Sequence, residues 1–450
     1  MNKEENMSRH FSMDSAEDMT MERLKEFIDS HKKLKEEYAQ LRNFYMGKHP
    51  ILTSDKLKPS YKPDNRLVVN YAKYIVDTLN GFFMGIPVKT TSQSETVSDF
   101  IRAFEKFNKV DDLNAEISKK CSIYGRCYEL LFLDEEARIG ATYVDPMEAF
   151  IVYDNSIRGR ALFGVRYTYT EDGTLIGTIS DEGTIKYFED KNGNIKIIEE
   201  EPHYFGEVPM IEYVENEELQ GAFENVETLI NAYNKAISEK ANDVDYFADA
   251  YLAILGALIE PEDLEKIKEN RIINIKSPVD DKHLEVKFME KPNADTTQEN
   301  LIDRLEKLIF NISMVANIND ENFGTTSGIA LRYKLQSMAN LANTKERKFK
   351  KGLDRRYELI ANIPSSPISP EDLKDIDHIF TRNFPKNIQE EADVARSLQG
   401  IVSNETILDN LSIIQDAKAE LDRIEEEERF TPEIDYQFEE DHDQEDQEPH

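Results

Sequence analysis

The side chains of this chain that could do chemistry are few, and their spacing does not suit a reaction. Gly324-Thr325-Thr326-Ser327-Gly328 has the glycine and hydroxyl content of a loop that cradles phosphate, yet no Gly-Lys-Ser/Thr follows it and no strand pattern precedes it. Nothing there would hold the β- and γ-phosphates, so nucleotide hydrolysis is not expected. The pairs Asp111-Asp112 and Asp280-Asp281 have the residue type of a nuclease metal site, but a chain with 89 Asp and Glu carries such pairs on solvated faces. The 8 histidines are scattered, as at His31, His203, His283 and His378, and neither His-Glu-x-x-His nor a nucleophile elbow occurs. The only cysteines, Cys121 and Cys127, match neither a metal knuckle nor a disulfide framework and read as buried thiols in a reducing compartment. No catalytic residue, metal or cofactor is expected.

Charge is the other candidate for function. Lys and Arg number 55 against 89 acidic residues, a net charge of −34, which excludes a DNA binder that works by surface-wide release of counterions. Against that balance one run is basic: Lys345, Arg347, Lys348, Lys350, Lys351, Arg355 and Arg356. It has two readings, ion pairing with acidic neighbours or contact with DNA at Lys345, Arg347, Lys348 and Lys351.

The elements that would position these residues are written most clearly between Thr296 and Ile363, as helix, loop, helix. Thr296 followed by Glu299 reads as a capping box. Leu301, Leu305, Leu308, Ile312 and Val315 then recur in steps of four and three, a narrow apolar seam that asks for a partner helix. From Asn317 to Gly328 the text is Asn-, Asp- and Gly-rich and breaks the helix. Leu331, Leu335, Met338 and Ala342 resume the period.

The 450 residues give a prior of about three domains, with 23 Phe and 20 Tyr to fill a core. Residues 1–14 read as disordered. A helix opens at Ser15 and Asp18 and runs to Gly47, a second runs from Val68 to Phe82, and a third from Thr96 to about Tyr124. Strands follow at Cys127–Leu133, Ala141–Val144, Ala149–Tyr153, Phe163–Thr170, Ile176–Ser180 and Ile185–Glu189, turned by Asp172-Gly173, Glu182-Gly183 and Asn192-Gly193. One antiparallel meander ending at Val208–Tyr213 is the economical interpretation. A long helix from Ala222 to Leu255 lacks Gly and Pro, and a small α/β insert with strands at Ile272–Ile275 and Leu284–Phe288 follows it. Pro364 to Pro370 is a linker, Asp377–Thr381 a strand, Ser403 and Ala417 open charged helices, and the acidic text from Thr431 reads as a disordered tail. No run of about 18 apolar residues occurs and the N-terminus is charged, so a soluble cytosolic protein without membrane contact is expected.

Several local texts resemble one family. Asn65-Arg66-Leu67-Val68-Val69-Asn70-Tyr71 with Gly81-Phe82-Phe83-Met84-Gly85-Ile86-Pro87-Val88 looks like the N-terminal signature of the portal proteins of tailed bacteriophages, especially long-tailed phages of Gram-positive hosts. Tyr45–His49, His203–Pro209, and Glu224 to Ala236 with Lys240–Asp243 are further matches. The resemblance runs from about residue 20 to 430 and contains no catalytic motif.

The resemblance implies an α+β portal-type fold and a dodecameric ring at one capsid vertex, through which double-stranded DNA is packaged and ejected. It implies a wing (15–221), first stem helix (222–252), clip (253–293), second stem helix (294–316), tunnel loop (317–328), long helix under the crown (329–363), wing return (364–385) and crown helices (386–430). Asn317, Asn319, Asp320, Glu321, Asn322 and Thr325 would then face the DNA channel. Implied partners are the terminase large subunit, a head-completion adaptor, and the major capsid and scaffolding proteins. The implied location is the virion, with assembly in the host cytoplasm. A neutral to acidic constriction fits sliding DNA, because each neutralised phosphate would add affinity and friction. A non-viral helical scaffold would share the seams without needing the Asn-rich loop; a nuclease or motor subunit would need the metal or phosphate motif that is missing.

Overall fold

In the computed structural model of the chain, the described residues are 9–54, 63–191, 193–248, 252–255, 272–275, 285–288, 295–318, 328–383, 388–409, 411, 413–414 and 417–430. The chain is α+β and divides into a larger unit, residues 1–325 and 332–383, and a smaller one, residues 326–331 and 384–450.

The larger unit opens with strand β1 (Phe11–Met13) and helix α1 (Met21–Tyr45). The expectation of disorder is corrected for residues 9–14, while residues 1–8 lie outside the described residues. Phe11 and Met13 are buried as β1 pairs in parallel with the later strand at Val152–Asp154, and Arg9 donates to the Leu219 carbonyl at 2.6 Å. α1 starts later than Ser15, at Thr20, whose hydroxyl accepts from the Arg23 amide. Helix α2 (Tyr71–Met84) is capped by the Asn70 side chain, and strand β2 (Lys89–Thr91) follows. The single helix expected from Thr96 to Tyr124 is two, α3 (Glu95–Asn108) and α4 (Val110–Tyr124), because Lys109 takes a left-handed conformation at φ 51.

Strands β3 (Arg126–Leu133), β4 (Ile139–Val144), β5 (Ala149–Asp154), β6 (Ala161–Tyr169), β7 (Leu175–Ser180), β8 (Thr184–Lys191), β9 (Asn194–Pro202) and β10 (Met210–Val214) do not make one meander. They form a six-stranded sheet, β1-β5-β6-β7-β8-β9, and a three-stranded sheet, β10-β3-β4. The two meet through a shared core of Tyr128, Val144, Ala149, Ile151, Val208 and Met210.

Helix α5 (Glu227–Ala248) ends before the expected Leu255, and Leu252–Leu255 is instead strand β11. β11 pairs with β12 (Ile272–Ile275) in parallel and with β13 (Glu285–Phe288) in antiparallel sense. Helix α6 (Asp295–Ser313) and helix α7 (Gly328–Ala361) flank the Asn-rich segment. Strand β14 (Asp377–Ile379) returns to pair with β2.

The smaller unit contains helices α8 (Ile388–Leu398), α9 (Asn404–Asp409) and α10 (Ala417–Phe430). They enclose an apolar groove lined by Ile407, Leu408, Leu421 and Ile424, with Arg396 among the lining residues.

Candidate functional site

With no reactive cluster in the sequence, the residues to follow are the paired helices, the segment between α6 and α7, and the basic run. α5 and α6 run antiparallel: Asn225, in the turn that leads into α5, donates through Nδ2 to the Ile312 carbonyl near the end of α6 at 3.3 Å, and Gln298 at the start of α6 donates through Nε2 to Asp243 near the end of α5 at 2.9 Å. Glu299 pairs with Lys240 of α5. The expected capping box is therefore not what Glu299 makes, and Thr296 lies inside the helix rather than before it.

The face α6 buries is set one residue away from the expected seam. Ile302, Ile309 and Val315 are buried, Leu305 and Leu308 are half-buried, and Leu301 and Ile312 are 52% and 43% exposed. Within the chain only Val315 of the seam is fully covered, because Ile302 and Ile309 also lie seven apart and win the contact with the body. The leucine side remains an open apolar stripe.

α5 is held by a polar ladder. Residues 63–70 carry no regular secondary structure and run along the helix. Asn234 Oδ1 accepts the Val69 amide at 2.8 Å, Ser238 Oγ the Leu67 amide at 2.9 Å, and Asn242 Oδ1 the Asn65 amide at 2.6 Å. Four residues of helix rise about 6 Å and two residues of extended chain about 6.6 Å, so a ladder at i, i+4, i+8 meets alternate amides of an extended strand. All three ladder side chains are buried. The ladder joins two stretches that sequence reading treated as separate matches, Asn65–Tyr71 and Glu224–Asp243.

α2 grips the end of α6. Phe310 meets the edges of Tyr71 and Tyr74 at centroid distances of 5.4 and 5.5 Å, and the Ile318 amide donates to the Tyr74 hydroxyl at 2.8 Å. Met314 closes the helix in a left-handed conformation, φ 59. Asn317 donates to Glu306 at 3.2 Å, which ties the start of the segment back onto α6. Asn319, Asp320, Glu321, Asn322 and Thr325, named with Asn317 as channel residues, lie outside the described residues.

The basic run on α7 is largely committed to acidic neighbours, and Lys345 is corrected as a DNA contact. Its side chain is 1% exposed, and its Nζ donates to Glu215 at 2.6 Å, to Ser122 Oγ at 2.6 Å and to the Ser118 carbonyl at 2.9 Å. Arg356 is equally deep; its Nε donates to Glu129 at 2.8 Å and its Nη2 to Asn114 Oδ1 at 2.7 Å, while the Tyr213 hydroxyl also donates to Glu129. Burial opposes the Arg356 charge, but Glu129 together with Tyr213 and Tyr357 outweighs it and the guanidinium is held above its ordinary range. Gly352 lies where α7 crosses Tyr213; an added Cβ would stand 2.3 Å from the ring. Lys348 pairs with Glu217, Lys350 with Asp377 and Arg355 with Glu207. Arg347 and Lys351 are exposed.

No group of three or more His, Cys, Asp or Glu among the described residues could hold a metal ion. Cys121 and Cys127 are buried free thiols, pushed well above the usual thiol range by desolvation.

A family model described as "Phage portal protein, SPP1 Gp6-like" matches residues 24–431. This chain belongs to that phage portal protein family. Two relatives share the description "Portal protein". One, of Clostridium phage phiCD119, is 22% identical across 87% of this chain and 92% of its own length. The other, of Bacillus phage SPP1, is 25% identical across 81% of this chain and 76% of its own length. A solved structure titled as the neck of an empty GTA particle, computed with C6 symmetry, aligns at 13% identity with a TM-score of 0.43, covering 74% of this chain and 88% of that one. The family model's span, residues 24–431, takes in both the polar ladder and the α6–α7 segment. Among the described residues no helix is long and apolar enough to cross a membrane.

Proposed function

We propose that the chain assembles with copies of itself into a ring, a dodecamer by the family's pattern, that forms the DNA channel at one vertex of a phage capsid. α5 and α6 act as the stem, the three-stranded sheet of β11, β12 and β13 belongs to the clip, the segment 317–328 is the channel loop, and α8 to α10 form the crown. Terminase, a head-completion adaptor, and capsid and scaffolding proteins dock on this ring in the assembling virion. The ring works as a conduit without chemistry of its own, and an ATP-driven partner supplies the force.

The observation that carries this reading is the open stripe on α6. Leu301 and Ile312 sit on solvent while the adjoining face, roughly a quarter-turn round the helix and carrying the buried Ile302 and Ile309, packs against α5 and α2. A helix apolar on two sides needs a second cover, and a neighbouring subunit provides it at every position of a ring. The acidic chain supports the same role, since five cations of the basic run are spent on internal carboxylates and do not add drag on DNA.

Negative-stain microscopy of the purified protein tests the ring: a round particle with a central hole is expected, and a compact monomer with nuclease activity refutes it. The loop has its own test. Asp320→Lys with Glu321→Lys should leave rings intact and impair packaging or DNA retention, because added cations bind phosphate where the duplex must slide. Packaging at the wild-type rate would remove the loop from the channel.

A further inference from the structure

We propose that the β5–β6 turn of one subunit docks on the β9 edge of the next copy of this chain. The proposal rests on the ring reading above and adds the contact that fixes neighbours through the six-stranded sheet.

The turn is a rigid presenter. The Asp154 carboxylate accepts from the Ser156 amide at 3.1 Å, the Ser156 hydroxyl at 2.7 Å and the Arg160 amide at 3.0 Å, and the Asp154 amide donates to the Arg160 carbonyl at 2.8 Å. On this frame Ile157 projects with a relative exposure of 108%, as open as an isolated side chain, and the exposed Arg158 and Arg160 follow it in the same turn. A fully bared isoleucine on an ordered turn stays hydrated and makes no packing contact in its own chain, so covering it against a partner would remove apolar surface from water.

The complementary surface is β9, the terminal strand of the same sheet, with its outer backbone edge unpaired in that sheet. A β-bulge between Tyr187 and Phe188 of β8 leaves Ile198 as the extra residue, 60% exposed. Exposed Glu199, Glu200 and Glu201 follow it. Within the chain Glu200 reaches Lys186 only at 3.9 Å, and Glu201 accepts from Tyr187 at 3.5 Å. One surface is therefore isoleucine with two arginines, the other isoleucine with three glutamates.

They cannot meet within one subunit. The register aligns Gly164 of β6, Ser180, Ile185 and Glu201 in one row, so turn and acidic edge lie at the same end of the sheet. β5 and β9 are four strands apart, roughly 19 Å. Two different patches, one at the β5–β6 turn and one on the β9 edge, complementary to each other, make a head-to-tail contact, and a ring repeats such a contact until it closes. Subunits with a net charge of −34 repel one another, so local pairing of scarce exposed arginines with glutamates also sets which flank meets which.

The full-length chain carrying Arg158→Glu and Arg160→Glu tests this against the wild type by analytical ultracentrifugation and negative-stain microscopy. Both surfaces are exposed, so far-UV circular dichroism and the thermal midpoint of the monomer should not change. The expected result is at least a tenfold loss of ring at equal concentration, with recovery when Glu199→Lys and Glu200→Lys are added to the same chain. Intact rings from the arginine variant overturn the docking proposal and leave the ring reading standing, as does failure of the fourfold variant to recover. Absence of rings from the wild type overturns both.

Discussion

The Lys345–Glu215 pair separates the two readings of the basic run. Both side chains are essentially dry, 1% and 2% exposed, and the ammonium spends its three protons on Glu215, Ser122 and the Ser118 carbonyl. Lys345→Met keeps the stem of the side chain but leaves the Glu215 carboxylate buried with only the Ser122 hydroxyl, at 3.2 and 3.3 Å, to meet it. Stranding one partner of a buried pair costs about 3–5 kcal/mol. Adding Glu215→Leu removes the stranded charge, and the double variant should regain most of that loss, because an apolar replacement of a buried pair is close to neutral. Urea unfolding followed by circular dichroism on all four proteins of the cycle gives the coupling. A lysine that served DNA would behave in the opposite way: stability would hold, and the salt dependence of DNA binding would fall by about one unit. A loss under about 1 kcal/mol for Lys345→Met, or a double variant as unstable as the sum of the singles, would refute the assignment.

Asn234→Ala and Ser238→Ala each remove the acceptor of a part-buried amide, Val69 or Leu67, and should cost about 0.5–1.5 kcal/mol apiece; amide exchange at Val69 and Leu67 should accelerate, and unchanged exchange would mean the ladder does not hold the segment. On α6, Ile309→Asp puts a charge in the covered face and should unfold the subunit, whereas Leu301→Asp should leave a folded subunit that no longer closes rings; rings from Leu301→Asp would show that the stripe stays on solvent. His31 is buried between the Tyr167 hydroxyl at 2.8 Å and the Pro146 carbonyl at 2.9 Å, and desolvation lowers its pKa to about 3. The unfolded chain, with a pKa near 6.5, takes up the proton first, so this contribution is complete above about pH 6.5 and is lost as pH falls toward 3. At pH 5 the loss is about 2 kcal/mol. His378, lowered to about 4 by desolvation, acts in the same direction. A denaturant midpoint that does not drop between pH 7 and pH 5, or that drops equally in His31→Gln, would contradict this origin.

Local sequence alone determined most of the element types, since apolar period and breakers act over a few residues; Leu252–Leu255, expected as helix, is a strand. The helices on either side of the Asn-rich segment, the strands at Ile272 and Asp377, and the lack of any phosphate or metal motif were all legible there. Ladder residues Asn234, Ser238 and Asn242 carry an i, i+4, i+8 polar signal on an apolar helix, but their partner lies about 170 residues away and no spacing rule connects them. Strand β9 escaped reading because Glu199-Glu200-Glu201 has no strand propensity; pairing with β8 holds it extended. Phe11 and Met13 looked like part of a polar tail until β5 offered an edge. The stripe on α6 shows the limit most clearly, because Leu301 and Ile302 both satisfy a helical period and only the position of α5 and α2 decides which is buried. Charge follows the same division. The sequence shows seven cations in a row of twelve residues, while the burial of Lys345 and Arg356 depends on Glu215 and Glu129 arriving from distant strands and loops. Periodicity is a property of neighbours in the chain, and burial is a property of neighbours in space.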